Sequence, residues 1–485
     1  NGDIFIAGQL AENRTAVSGE GTRLYNGTQI SAGSGRIHIY GKSLNTTGSY
    51  TYGLALNGGS STRALSITTT GTQSDSIVLS GVVSGTALRS PGLLFGSGTS
   101  YAPSSNIIAN SASGGISLIG KSASGGASDA TDVVGDGIEV GKAGFYSKSG
   151  SITVNGETAA ATSTVAYGIS FAHNSTYFTG AAEFGAAGSA YTLNSIDMTT
   201  SSASVVLNAD SYFVTTNPTI KTTGTFSMST PTGYASNSFD RAVTMSKFTI
   251  NSAVSGITVG NPGTSGSDQN TANITVDSAY NIAGPIAVYG GDISITKDQV
   301  SSLLNAKLTY KATGSITTSA GTSAAVPFYL RSNKGDITLW SNAAGSAANG
   351  FIYVDKYAYF ETTNATGTSM ATGGGRISLA GGLNADANGV PTGYATSNLA
   401  ADGAGGISLG TNVTGGGTNW VRMYSGGGDI TLRGSSSQAK GILAPSGYDI
   451  NSGEGAIVLD GKSTGTVASY NGEGVELAYG GTVSA

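Results

Sequence analysis

The densest acidic stretch of the chain is "SDATDVVGDGIEVG", which sets Asp129, Asp132, Asp136 and Glu139 close together. Paired carboxylates can divide acid and base work between them, as in polysaccharide cleavage. Three carboxylates on a glycine-containing loop can instead hold Ca²⁺. A solvated loop is the favoured reading, because the Gly-Gly-x-Gly-x-Asp repeat of calcium-roll proteins is absent. These four residues are a weak calcium candidate, and no cofactor or catalytic residue is expected. His38, which alternates outward in "GRIHIYG", and His173 in "SFAHNS" have no partner at metal-ligand spacing.

Two phrases imitate catalytic motifs. In "GGISLIGKS", Gly115, Gly120, Lys121 and Ser122 fit the spacing of a phosphate-binding loop. Such a loop curls its backbone N–H groups around phosphate and opens a helix. Here the middle residues Ile116, Ser117, Leu118 and Ile119 alternate as a strand does. The siblings "GRIHIYGKS" (35–43) and "GAIVLDGKS" (455–463) break the phosphate spacing. "GKSTG" (461–465) matches a nucleophile elbow, but Gly and Ser are too common here for that to carry weight. The repeated phrase therefore reads as a strand followed by a turn, in which Gly bends the chain while Lys and Ser face water.

The best interaction candidate is "GFIYVDKYAYF" (350–360). With Ile352 and Val354 inward, Phe351, Tyr353, Tyr357 and Tyr359 line the opposite face, where aromatics can stack on sugars or a neighbouring molecule. Lys356 would then point inward, so a bulge or turn is expected there. The rival reading is two strands around a corner.

The elements that position these residues follow from composition and repeat. The chain has 485 residues, 76 Gly, 9 Pro and no Cys; 11% are charged, 38% are hydrophobic and the net charge is −5. Disorder normally requires lower hydrophobicity and higher net charge. Basic residues form no stripe for nucleic acid, and no apolar run is long enough for a membrane helix. A large Cys-free chain rich in small polar residues fits an exported bacterial protein. Phrases such as "GGDISIT" (290–296), "KGDITLW" (334–340), "GGRISLAGG" (374–382) and "GGDITLRG" (427–434) recur at irregular spacing, as in a solenoid. The predicted fold is all-β, a parallel β-helix of about 15–19 coils, each of roughly 25–32 residues. Ile116, Leu118, Ile430 and Leu432 face in; Ser117 and Thr431 face out. Glycine supplies positive-φ corners. "KDQVSSLLNAKLTY" (297–310) is read as a loop leading into a strand, with a helix as the rival. One shaft spans 1–485, with a soft boundary at 283/284.

The order of "GPIAVYGGDISI", "NKGDITLWSNAAGSAANGFIYVD", "GGGRISLAGG" and "GGDITLRG" resembles the repeat region of filamentous-haemagglutinin-type bacterial exoproteins, most clearly over 284–485. The resemblance implies a right-handed β-helix, export, and an adhesive or filamentous role at the cell surface. A two-partner secretion domain with Asn-Pro-rich motifs is not evident. The expected function is a non-catalytic extracellular shaft; the alternative is a carbohydrate-active or glycan-binding β-helix. A lyase or hydrolase would need charged residues clustered in a groove on adjacent coils, and the sparse charge argues against that. Expected partners are further copies or a longer exoprotein joined end to end, and surface glycans or matrix, with no nucleic acid and no membrane insertion. The terminal strands, around Ile4 and Ile6 and around Val475 and Leu477, are the expected junctions.

Overall fold

The computed structural model describes residues 2–12, 18–25, 27–45, 50–57, 65–85, 90–96, 106–123, 135–158, 166–172, 181–187, 191–231, 236–263, 269–345, 349–363, 372–399, 405–410, 420–465, 472–478 and 480–485. They form two compact units, one essentially residues 1–254 and the other essentially 255–485, with short exchanges between 236 and 254. The division falls ahead of the 283/284 line. Each unit is a parallel β-helix with three sheets, one along each face of the coil. In the first unit the first face runs from Ile4–Leu10 to Thr225–Ser229, the second from Ser18–Leu24 to Tyr212–Val214, and the third from Gln29–Ser31 to Thr249–Ile250. In the second unit the corresponding faces run from Gly256–Val259 to Ile457–Ser463, from Val243–Thr244 to Val475–Leu477, and from Tyr280–Ile282 to Thr482–Ser484.

Each first face carries seven coil strands among the described residues, fourteen in all, and the coils differ widely in length. The reason is insertion. Register advances by only 21 residues from Val205 to Phe226, but by 53 from Ile152 to Val205 and again from Ile377 to Ile430. Within the sheets register is strict: Ile37, Ile77, Ile116 and Ile152 align, as do Ile39, Leu79, Leu118 and Val154. All are essentially fully buried. Each such side chain contributes roughly 1.5–3 kcal/mol of burial, and a one-residue slip would turn the whole ladder outward. Ile430 and Leu432 are fully buried while Thr431 is half-buried, so the inferred facing holds.

Glycine in the recurring phrase does something other than bend the chain. Ile37–Ser43, Ile116–Ser122 and Ile457–Ser463 are unbroken seven-residue strands running through Gly-Lys-Ser. Gly8, Gly41, Gly81, Gly120 and Gly156 stack in register. Each lies against the backbone of the second face, at Gly21, Gly53, Gly92, Gly137 and Gly168 respectively, so closely that an added Cβ would overlap a carbonyl oxygen. The strand's outer arm and the start of the next strand thus close into two backbone layers, with hydroxyls sealed between. Ser43 and Ser122 are fully buried rather than solvated. Ser122 Oγ donates to the Ser90 carbonyl at 2.7 Å, and the Thr51 and Ser90 hydroxyls lie 2.8 Å apart. Lys42 and Lys121 do face water. Several true corners use non-glycine residues at positive φ, including Asn305, Lys334 and Tyr357.

Residues 297–310 hold two strands, not a helix: Gln299–Leu304, then Leu308–Ala312 after a turn at Asn305. The leading segment is itself a third-face strand, a role its helix-like Leu spacing hides. The described residues contain only a short 3₁₀ turn, Met245–Lys247, and no helix long and apolar enough to cross a membrane.

Candidate functional site

The aromatic stretch 350–360 turns a corner. Ile352–Val354 lies on the second face and Ala358–Glu361 on the third, with Tyr357 at φ 55° between them. Its aromatics therefore do not form one row. Phe351 borders a shallow cleft with Asn273, Asp292 and Thr317. Tyr353 is half-buried on the second face, aligned with Thr317 and Ser408. Tyr359 is 4% exposed. It packs edge-on against Tyr329 and under the Arg422 guanidinium, beside the Arg331–Glu361 ion pair at 2.6 Å. Its ring is spent within that ladder.

Asp129, Asp132 and His173 lie outside the described residues. Asp136 and Glu139 are fully buried, not solvated. Asp136 accepts hydrogen bonds from the Tyr167 N–H at 2.8 Å and the Ser170 hydroxyl at 2.5 Å. Glu139 lies in register between Leu94 and Ser170, and neither of its carboxyl oxygens has a hydrogen-bond partner among the described residues. Burial, and then the Asp136 charge, push its carboxyl well above the usual range. The difference from expectation arises because the outer side of this face is itself covered: Tyr52, Ala55, Leu94 and Ala172 form a second apolar cluster there. Among the described residues no three His, Asp or Glu side chains group to hold a metal.

The other singled-out residues have structural surroundings. His38 sits on the outer side of its strand yet is only 8% exposed, edge-on to Phe5, and its Nε2 donates to the Asp75 carbonyl at 2.9 Å. Ser463 Oγ donates to the Ala439 carbonyl at 2.9 Å from within a strand, so no elbow exists there. Ile4 and Ile6 pair with Ile37 and Ile39 and are half-buried. Val475 is half-buried and Leu477 is exposed, paired with Ile442 and Ala444.

A further concavity was not singled out by motif. It is a cleft of about 300 Å³ on the outer side of the second unit's first face. Its floor is three rungs set by strand register. The middle rung aligns Thr309, Thr338 and Ser378, and the upper rung aligns Tyr289, Lys311 and Trp340. The lower rung comprises Lys307, Asp336 and Arg376, each one residue before its strand. Asp336 Oδ2 receives Lys307 Nζ at 3.0 Å and Arg376 Nη2 at 3.0 Å, while Oδ1 receives the Arg376 N–H at 3.0 Å. Burial opposes ionisation of Asp336, but these donors outweigh it and hold its carboxyl below the usual range.

One wall is an antiparallel excursion in which Ile377–Ala385 runs out and Pro391–Gly393 returns. Asp386 closes its tip by accepting from the Asn388 and Val390 N–H groups, both at 2.9 Å. Trp340 Nε1 donates to the Gly382 carbonyl at 2.6 Å, fixing the indole against this wall. Across the cleft, Lys311 Nζ donates to the Pro262 carbonyl at 3.1 Å and lies 4.5 Å from the Trp340 ring centroid. Burial lowers the Lys311 pKa. The Thr309, Thr338 and Ser378 hydroxyls line the floor without a hydrogen-bond partner among the described residues. Sparse charge in sequence is thus compatible with a charged cluster in space. The only sequence cue was the repeated slot just before each strand, filled here by Lys, Asp and Arg.

Searches against protein-family models, curated proteins and solved structures found no match to this chain.

Proposed function

We propose that this chain is a non-catalytic, adhesive β-helical shaft that works outside the bacterial cell and engages glycans through the Tyr289–Trp340 cleft. The observation that carries this reading is the floor of unpartnered, in-register hydroxyls beside two aromatic rings. Ligand sites combine apolar walls with a few placed polar groups, and this set suits a polyhydroxylated ring. Strict ladders support the structural half of the reading, since they make a rigid scaffold for a surface site. The Cys-free composition and the filamentous-haemagglutinin-like phrases support the extracellular setting.

Asp336 favours binding over hydrolysis. Glycoside hydrolysis ordinarily uses two carboxyl groups, one of them protonated as the acid. Asp336 is held ionised between two cations, and Asp386 is engaged by its own turn. Incubation with a polysaccharide panel should give retention on the immobilised polymer without new reducing ends or unsaturated products. Turnover abolished by Asp336→Asn would overturn the non-catalytic assignment. Labelling that appears only after producing cells are permeabilised would overturn the extracellular one.

A further inference from the structure

Within that reading, we infer that the cleft selects an acidic saccharide, one whose sugar rings carry a carboxylate, and that Lys311 is the residue that recognises the charge. The three cations of the cleft differ in what they already hold. Lys307 and Arg376 share the Asp336 carboxylate, and Arg376 also donates to the Asn388 carbonyl at 3.2 Å. Lys311 has no carboxylate partner among the described residues; its contacts are one backbone carbonyl and the Trp340 face. Among the described residues Asp336 is the only acidic one lining the cleft, against three basic ones. The cleft is therefore net positive on a chain whose net charge is −5.

Geometry sets the order of contacts. The upper rung offers a cation between two aromatic rings, and the middle rung offers the Thr309 and Thr338 hydroxyls, two residues before Lys311 and Trp340 on their strands. Adjacent coils lie about 4.8 Å apart, so a saccharide lying across the coils meets the half-buried Thr309 and Thr338 side chains at successive steps while one ring substituent reaches Lys311. A carboxylate there gains a charge-assisted bond without displacing any existing ion pair. A neutral sugar would leave the half-buried ammonium with only its carbonyl partner, which costs affinity.

The test uses the full chain and calorimetry or fluorescence of Trp340 with three probes: oligogalacturonate, its methyl ester, and a neutral cello-oligosaccharide. Oligogalacturonate should bind at least tenfold more tightly than its ester or the neutral chain. Lys311→Met should remove that preference, bringing acid and ester to within about twofold of each other, and Lys311→Arg should restore it. Thr338→Val should weaken acid and ester alike. Thermal melts of each variant separate misfolding from loss of recognition. Equal affinity for acid and ester, or an acid preference that survives Lys311→Met, overturns the acidic assignment and leaves the glycan-binding reading standing. Binding of none of the three by folded wild-type protein overturns both.

Discussion

The coils at 37–158 and those at 286–341 use the same apolar ladder and close it differently. In the earlier set, seven-residue strands carry Gly41, Gly81, Gly120 and Gly156 past the core into backbone contact with the next face. In the later set the strands stop after five residues, and the aligned positions are Gly290, Ala312 and Ser341. A Cβ on Gly290 would meet its nearest neighbour, the Ala272 carbonyl, at 3.1 Å. The contact returns at Gly434 against Gly441 and at Gly461 against Gly474, where the seven-residue phrase also returns. Recurrence of the phrase thus marks coils with a two-layer arm, and its loss marks coils closed by side chains. The cores differ accordingly. Phe95, Phe145, Phe184, Phe171 and Phe248 form an aromatic chain in the first unit. The middle coils of the second bury Tyr310, Phe328 and Phe360 among aliphatic side chains, and these three rings form no such chain among the described residues.

The largest expected effect tests that contrast directly. Gly81→Ala should cost about 2–4 kcal/mol in urea unfolding, because two backbones must separate. Gly290→Ala should cost less than about 1 kcal/mol, since its in-register neighbour is already Ala312. Comparable losses at both positions would remove the distinction.

Acid should separate the two regions next. Glu139 and Asp210 in the first unit are both raised, chiefly by burial, Asp210 to about 6 from 3.8. A raised carboxyl pKa means the folded state holds its proton more tightly than the unfolded chain. Stability of this unit should therefore grow as pH falls from 7 through about 6 towards 3.8. Asp336 in the second unit is lowered, so its contribution is present above the unfolded value and fades as pH falls below 3.8. Hydrogen exchange resolved along the chain, at pH 7 and pH 5, should show added protection around 138–171 and none around 307–340. Glu139→Gln should diminish that gain, and an unchanged gain would exonerate this carboxyl.

The smallest effects concern two tyrosines. Tyr310 is fully buried and its hydroxyl has no partner among the described residues, so Tyr310→Phe should stabilise by about 1 kcal/mol. Tyr146 donates to Glu183 at 2.6 Å, and Tyr146→Phe should cost about 1–2 kcal/mol. Thermal midpoints moving in the same direction would show that the Tyr310 hydroxyl is satisfied after all.

Much of this architecture was legible in the residues because a ladder is a local rule repeated. Alternation in "GGISLIG" and "GGDITLRG" determined which side chains enter the core, since period two admits only two facings. The recurring phrase determined that coils stack, and the all-β solenoid followed. What sequence could not decide was whatever joins residues from different coils. Gly41 reads as a bend until Gly53 is seen against it. Glu139 reads as solvated until its sheet face is seen to be covered. Lys307, Asp336 and Arg376 lie about 30–40 residues apart in sequence, and only the parallel register, advancing one coil per step, sets their charges within hydrogen-bonding distance. Insertions of unequal length hide that register from any fixed period, so the cleft belongs to the tertiary structure alone.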